Sequence, residues 1–263
     1  MKQRFNPRRK KVLHVGGPNL GNRSKFLRRV NQALDRRWLS NDGPFIREFE
    51  KKLANTLHVK HVIAVCNATL GIQMAAKALD LHGEVILPSY TFVATAHALC
   101  WQGIKPIFVD IDPRSHNISP EAIEKAITPK TTGIVGVHLW GRACDTGKIE
   151  AIAKKFGLQV MYDASHALMC SHRGKMIGNF GRCEVFSFHA TKFVNSLEGG
   201  AISTNDDQLA KKLKLMRNFG FSGYDNVICL GINAKMNEIS AAMGLTNLEA
   251  SKKIISKNKQ KIS

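Results

Sequence analysis

Between residues 61 and 188 the chain alternates short, near-continuous apolar runs with longer amphipathic segments. The runs are HVIAVC, EVILP, KPIFVD, TGIVGVHL, LQVMYD and CEVFSF. A strand that is apolar at nearly every position, rather than at every second one, has both faces buried. That is the condition of a parallel sheet clad by helices on each side. The intervening segments, at about Ala68 to Leu79, Phe92 to Trp101, Pro120 to Ile127 and Gly147 to Phe156, have helical spacing. Two more, at about Ser24 to Arg37 and Pro44 to Leu57, precede the first run. The expected fold is therefore α/β, a mostly parallel mixed sheet sandwiched by helices. At 263 residues and 44% hydrophobic content, the chain can bury the core that such a fold needs.

The formal net charge of +19 would suit a nucleic-acid binder. Its distribution argues otherwise, because the basic residues crowd the two ends (RFNPRRKK and NRSKFLRR, then SKKIISKNKQKIS) and bias the middle much less. No RNP-like aromatic strand, zinc-finger spacing or helix-turn-helix pattern accompanies them, so nucleic acid is not the expected partner. A phosphate-bearing substrate would be helped by the same field. No stretch approaches the apolar length of a membrane span, and the N-terminus lacks the apolar run of a signal peptide. A cytoplasmic protein with no membrane partner is expected. The six cysteines lie far apart with no C-x-x-C pair, as in a reducing compartment. Neither they nor His138, His166, His172 and His189 have the tight spacing of a zinc site, so no metal is expected. A G-x-S-x-G elbow is absent. The stretch GGPNLGNRS places Gly16 and Gly21 at P-loop spacing, but with Asn22 and Arg23 where that loop needs Lys and Ser or Thr.

In sheets of this kind ligands collect at the carboxyl ends of the strands, where helix N-termini also point. Four junctions there carry polar or aromatic groups. After HVIAVC come Asn67, Ala68 and Thr69, small or hydroxylic residues at a helix start that either cap the helix or cradle a phosphate. After EVILP come Tyr90 and Phe92, which pack on the sheet or stack on a flat ring. LQVMYD ends on Asp163, with His166 one turn further on, and a carboxylate there needs either a cap to serve or a cation to pair with. CEVFSF carries Ser187 and leads to Lys192, which either snorkels or offers a partly desolvated amine able to form a Schiff base. Each group alone has a structural explanation. In this order they describe a site for pyridoxal 5'-phosphate (PLP), which needs a lysine, an acid for its ring nitrogen and a phosphate cradle.

The residues that carry these groups resemble the DegT/StrS-type nucleotide-sugar aminotransferases, PLP enzymes with the fold of aspartate aminotransferase. The matching stretches include GGPNLGN, RWLSNDGPFIREFEKKLA, CNATLGIQMAAKAL, GEVILPSYTFVATAHAL, VHLWGRACD, YDASHA, VFSFHATKFVNSLEGGAIST and GINAKMNEISAAMGL, in the family's order over nearly the whole chain. The resemblance implies the large domain of a PLP-dependent transferase of fold type I. It makes Lys192 the Schiff-base lysine and proton shuttle and Asp163 the partner of the pyridinium nitrogen. It sets His166 near the ring oxygen, Phe92 on the ring face, and Ala68, Thr69 and Ser187 at the phosphate. Asn233, in GINAKMNE, is implied to reach the phosphate of the other subunit of a homodimer with shared active sites. The implied reaction moves an amino group from an amino acid, usually L-glutamate, to a nucleoside-diphosphate-linked keto-deoxy-sugar, by analogy dTDP-4-keto-6-deoxyglucose. Ile232 departs from the family, which commonly has an aromatic before that Asn. The expected division is residues 1–40 as a basic N-terminal segment and helix, 41–250 as the PLP-binding large domain, and 251–263 as the start of a C-terminal domain that the chain does not complete. That truncation, with the charge, keeps open a PLP-fold protein that is inactive and serves binding or regulation.

Overall fold

Every apolar run singled out above becomes a strand in the structure, a computed structural model that describes residues 16–260. The basic segment expected before residue 16, and residues 261–263, lie outside the described residues. In chain order the strands are β1 (His61–Val65), β2 (Glu84–Pro88), β3 (Lys105–Val109), β4 (Thr131–Val137), β5 (Gln159–Asp163), the short hairpin β6 (Ser171–His172) and β7 (Lys175–Met176), β8 (Cys183–Ser187) and β9 (Gly200–Thr204). The helices are α1 (Arg23–Asp35), α2 (Pro44–Leu57), α3 (Ala68–Ala78), α4 (Val93–Cys100), α5 (Pro120–Ala126), α6 (Thr146–Phe156), α7 (Asp207–Met216) and α8 (Glu238–Lys259). The division expected near residue 250 falls inside α8, which runs unbroken through it.

Seven strands form one sheet in the order β1-β9-β8-β5-β4-β2-β3. Only β9 is antiparallel to its neighbours, so the sheet is mixed and mostly parallel, as expected. Alternation along a strand sends side chains to opposite faces. In β5, Val160 and Tyr162 enter a core with Phe49 and Leu53 of α2, Ile149 of α6 and Leu245 of α8. Met161 enters the other core, with Ile72 of α3, Leu99 of α4 and Leu213 of α7. Asp163 is on that second face, at the strand's carboxyl end.

Helix α2 starts at Pro44, where a missing N–H loses nothing. Its next two amides, Phe45 and Ile46, donate to the two carboxylate oxygens of Glu238 at 3.0 and 2.9 Å. Glu238 opens α8, so one buried carboxylate caps α2 and ties the two helices together. At the sheet edge, Ala64 of β1 donates its N–H to Glu50, and its carbonyl accepts from Arg217. That ion pair satisfies backbone groups that an open edge would offer to another chain.

A second buried pair braces the strand ends from behind. Glu184 Oε1 accepts from the amides of Gly178 and Phe180 at 2.8 and 2.6 Å. Its Oε2 lies 3.2 Å from His138 Nε2, and both side chains have no exposed surface. The Cys144 amide donates to His138 Nδ1, which puts the ring proton on Nε2, facing the carboxylate. His138 also stacks on Tyr162, with centroids 4.6 Å apart. Removing one member of such a pair strands the other in apolar surroundings. Glu184→Ala should therefore lose about 3–5 kcal/mol of stability, seen as a fall in the urea midpoint. An unchanged midpoint would mean that the pair carries no weight in the fold.

Candidate active site

The carboxyl ends of β1, β2, β4, β5 and β8 surround a cavity of about 420 Å³. One end is the first turn of α3. Asn67, in extended backbone, accepts from the Leu70 amide at 2.8 Å, which starts the helix directly behind β1. The amides of Ala68 and Thr69 open the turn, and both residues line the cavity. Two glycines bring this turn so close to the sheet. A Cβ on Gly200 of β9 would lie 2.7 Å from the Ala68 nitrogen, and one on Gly71 of α3 would lie 2.9 Å from the Val185 side chain. Neither approach is open to another residue without a shift. Ser187, at the end of β8, adds a hydroxyl to the lining.

Asp163 is 5% exposed. Its Oδ2 accepts from the Thr95 hydroxyl at 2.8 Å, and its Oδ1 accepts from the Ser165 amide at 3.0 Å. Thr95 in turn shares a hydrogen bond with Thr91. The carboxylate is thus oriented by two donors and still has lone pairs facing the cavity. Phe92 stands at the start of α4 with 71% of its surface exposed, leaving a ring face free to stack.

Lys192 lies in the connection from β8 to β9, half-buried, and its Nζ makes no hydrogen bond or ion pair among the described residues. Burial holds its pKa below the usual lysine value, with the Asp163 charge pulling the other way. His166 is more exposed than Lys192, its ring only partly desolvated. Burial first, and then the Lys192 charge, lower its pKa against the opposing pull of Asp163. The Trp140 amide donates to His166 Nδ1 at 3.4 Å, so the neutral ring carries its proton on Nε2.

Seven of the eight expected site residues, Ala68, Thr69, Phe92, Asp163, His166, Ser187 and Lys192, line this one cavity. The eighth, Asn233, does not. It is exposed, bridges to Asn218 and lies outside the cavity of its own chain. Thr95, Thr91 and Ser165 were not anticipated. Their one signal was position, beside Phe92 and Asp163. The GGPNLGN stretch that fails as a P-loop has another use. The Asn195 side chain donates to the Asn19 carbonyl at 2.7 Å, and that of Asn19 donates to the Phe193 carbonyl at 3.2 Å. Asn247 of α8 holds both the Asn195 carbonyl and the Gly21 amide. The Lys192 connection is therefore strapped on both sides.

An unpartnered amine, an oriented buried carboxylate, a free ring face and a helix start with unused amides fit a flat phosphorylated heteroaromatic aldehyde such as PLP. The profile of the DegT/DnrJ/EryC1/StrS aminotransferase family matches residues 21–263. The chain belongs to that family. It is 41% identical over 239 residues to a dTDP-4-amino-4,6-dideoxy-D-glucose transaminase of Shigella dysenteriae, covering 91% of this chain and 65% of the relative. It is 39% identical over 242 residues to a GDP-perosamine synthase of Caulobacter vibrioides, covering 90% and 64%. Among solved structures, DesI with its TDP-sugar product superposes with a TM-score of 0.92 at 48% identity, over 95% of this chain and 64% of DesI. NtdA of Bacillus subtilis, with bound cofactor PMP, superposes at 0.81 with 35% identity, over 87% and 53%. This family member thus spans about two thirds of the length of the first relatives it matches. Its α/β sheet is the fold of these aminotransferases, as the resemblance implied. No described helix is long and apolar enough to cross a membrane.

Proposed function

We propose that this chain forms the cofactor-binding part of a PLP-dependent aminotransferase, and that its acceptor is a nucleoside-diphosphate-linked keto-deoxy-sugar. The observation that carries the reading is the half-buried Lys192 amine, without a partner, in one cavity with the oriented Asp163 carboxylate and the first turn of α3. When bound, PLP supplies the electron sink for amino transfer. The chain's own groups do the rest. The amides of Ala68 and Thr69, with the hydroxyls of Thr69 and Ser187, hold the phosphate. Phe92 covers one ring face. Asp163 would keep the proton on the ring nitrogen, and His166 would stand near the ring oxygen. Lys192 Nζ, whose lowered pKa favours the free amine, would take the proton from the donor's carbon and pass it to the cofactor, and would run the same shuttle in reverse for the acceptor's carbon.

The proposed donor is L-glutamate, as the family resemblance implies, and the proposed acceptor is dTDP-4-keto-6-deoxyglucose, supported by the sugar in the name of the Shigella relative. Because Asn233 lies outside its own chain's cavity, we assign it to the phosphate of a second copy in a homodimer with shared sites. Borohydride reduction of the PLP-saturated protein followed by peptide mapping tests the cofactor and the lysine together. The pyridoxyl group should be found on Lys192. A label on another lysine, or none at saturation, would overturn the assignment.

A further inference from the structure

At the mouth of the site three rings from three different loops meet edge to face. Tyr90 follows β2, His116 follows β3 and Trp140 follows β4. Their centroids are 6.3 Å apart for Tyr90–His116, 5.8 Å for Tyr90–Trp140 and 5.6 Å for His116–Trp140. Two of them are held in the left-handed backbone region, His116 at φ 60° and Trp140 at φ 51°. That conformation is unfavourable for a bulky residue and persists only where the surroundings over-determine it.

The surroundings do so here. Asn117, 3% exposed, accepts from the Leu139 amide and donates to the carbonyls of Arg142 and Ala143, at 3.2, 3.1 and 2.8 Å. One side chain thereby welds the loop carrying His116 to the loop carrying Trp140. The Arg142 guanidinium adds a bond to the Arg114 carbonyl at 2.7 Å. The second loop is also pinned from beneath, since buried His138 accepts from the Cys144 amide. Strained backbone, a buried asparagine with three cross-loop bonds and a fourth such bond from Arg142 go into presenting an indole that remains 64% exposed. Packing alone does not require that, because the ring covers so little of the core.

Trp140 also borders the chemistry. A cavity of about 500 Å³ adjoins the first and shares Ser165, His166, Ser187 and Lys192 with it, and Trp140 forms part of its wall. Resting on the sugar-nucleotide reading above, we infer that Trp140 is a specificity-determining residue whose indole stacks on the apolar face of the acceptor's pyranose ring, with Tyr90 and His116 as its struts. A keto carbon that is to take the amino group and exchange a proton with Lys192 must bring its pyranose into these joined cavities, and the indole is part of the wall that such a ring meets. A rigid aromatic held in place before binding gives contact area at little entropic expense, which is why the backbone strain is tolerated.

The test compares wild type, Trp140→Gly and Trp140→Phe, each loaded with PLP, by calorimetric titration with dTDP-, UDP- and GDP-glucose and with the free nucleotides. Glycine suits the left-handed backbone, so this variant should keep its loop and its cofactor absorbance band. Trp140→Gly should bind the preferred nucleotide-glucose about tenfold more weakly and the matching free nucleotide equally well. Trp140→Phe should restore most of the loss. Equal binding of nucleotide-glucose by wild type and Trp140→Gly overturns the inference. So does an equal loss for sugar-linked and free nucleotide, which would put the indole on the base or the fold. A wild-type protein that holds PLP but binds none of these nucleotides removes the sugar-nucleotide reading itself, and this inference with it.

Discussion

Lys192→Ala should lower amino transfer by about ten-thousand-fold while leaving the fold intact, because it deletes the amine that, among the described residues, lines the cavity and is proposed to move the proton. The side chain is half-buried and unpartnered, so its removal strands no buried donor or acceptor. The thermal midpoint should therefore hardly move, and the loss is read in turnover and in the missing pyridoxyl label. The same variant tests the shared site. Asn233→Ala should be crippled too if Asn233 reaches a second copy's phosphate. In a heterodimer of the two variants one site carries both defects and the other carries neither. Equal mixing under subunit exchange should return about one quarter of native activity, since half the dimers are mixed and each has one intact site. No recovery despite proven exchange would assign Asn233 to its own chain or to the fold.

Asp163→Ala should slow the half-reaction with glutamate by about a hundred- to a thousand-fold. The reason is electrostatic: among the described residues the carboxylate is the only acidic side chain lining the cavity besides Glu198, and two donors aim it. Alanine also leaves the Thr95 hydroxyl and the Ser165 amide without their acceptor, so a second variant is needed to separate charge from support. Asp163→Asn keeps an oxygen for the Ser165 amide and turns its NH2 to the Thr95 hydroxyl, which can accept it and donate to Thr91 instead, so the side chain stays bonded while the charge is lost. It should be nearly as slow as alanine while recovering its thermal stability. Cofactor absorbance in single turnover measures both, and a normal rate for Asp163→Asn would show that the acid lies elsewhere.

The strands were legible because burial on both faces leaves a purely local mark, a run of apolar residues bounded by turn residues. HVIAVC, LQVMYD and CEVFSF needed no partner to be recognised. The candidate site residues were legible for a related reason. Once a parallel sheet is inferred, each strand's carboxyl end is known from chain direction, and polar or aromatic residues at Asn67–Thr69, Phe92, Asp163, Ser187 and Lys192 stand out there. Residue types at those ends then narrowed the chemistry.

What supports those residues was not legible. GGPNLGN looks like a failed phosphate loop in sequence, yet Asn19 holds Phe193 across 174 positions. Thr95 looks like any helix residue until it meets Asp163, 68 positions away. Asn117 is a loop asparagine until it welds two loops, and Glu184 sits in an apolar strand as though misplaced until His138 and the amides of Gly178 and Phe180 surround it. The sequence alone therefore determined six strands, the mostly parallel sheet and the side chains at the strand ends, because hydrophobic periodicity and chain polarity act over a few residues; the antiparallel direction of β9 and the β6–β7 hairpin came only with the tertiary structure. Which donors orient those side chains, which loops are welded and which rings meet were decided by packing between distant segments, whose partners become neighbours only after the sheet and its helices have closed.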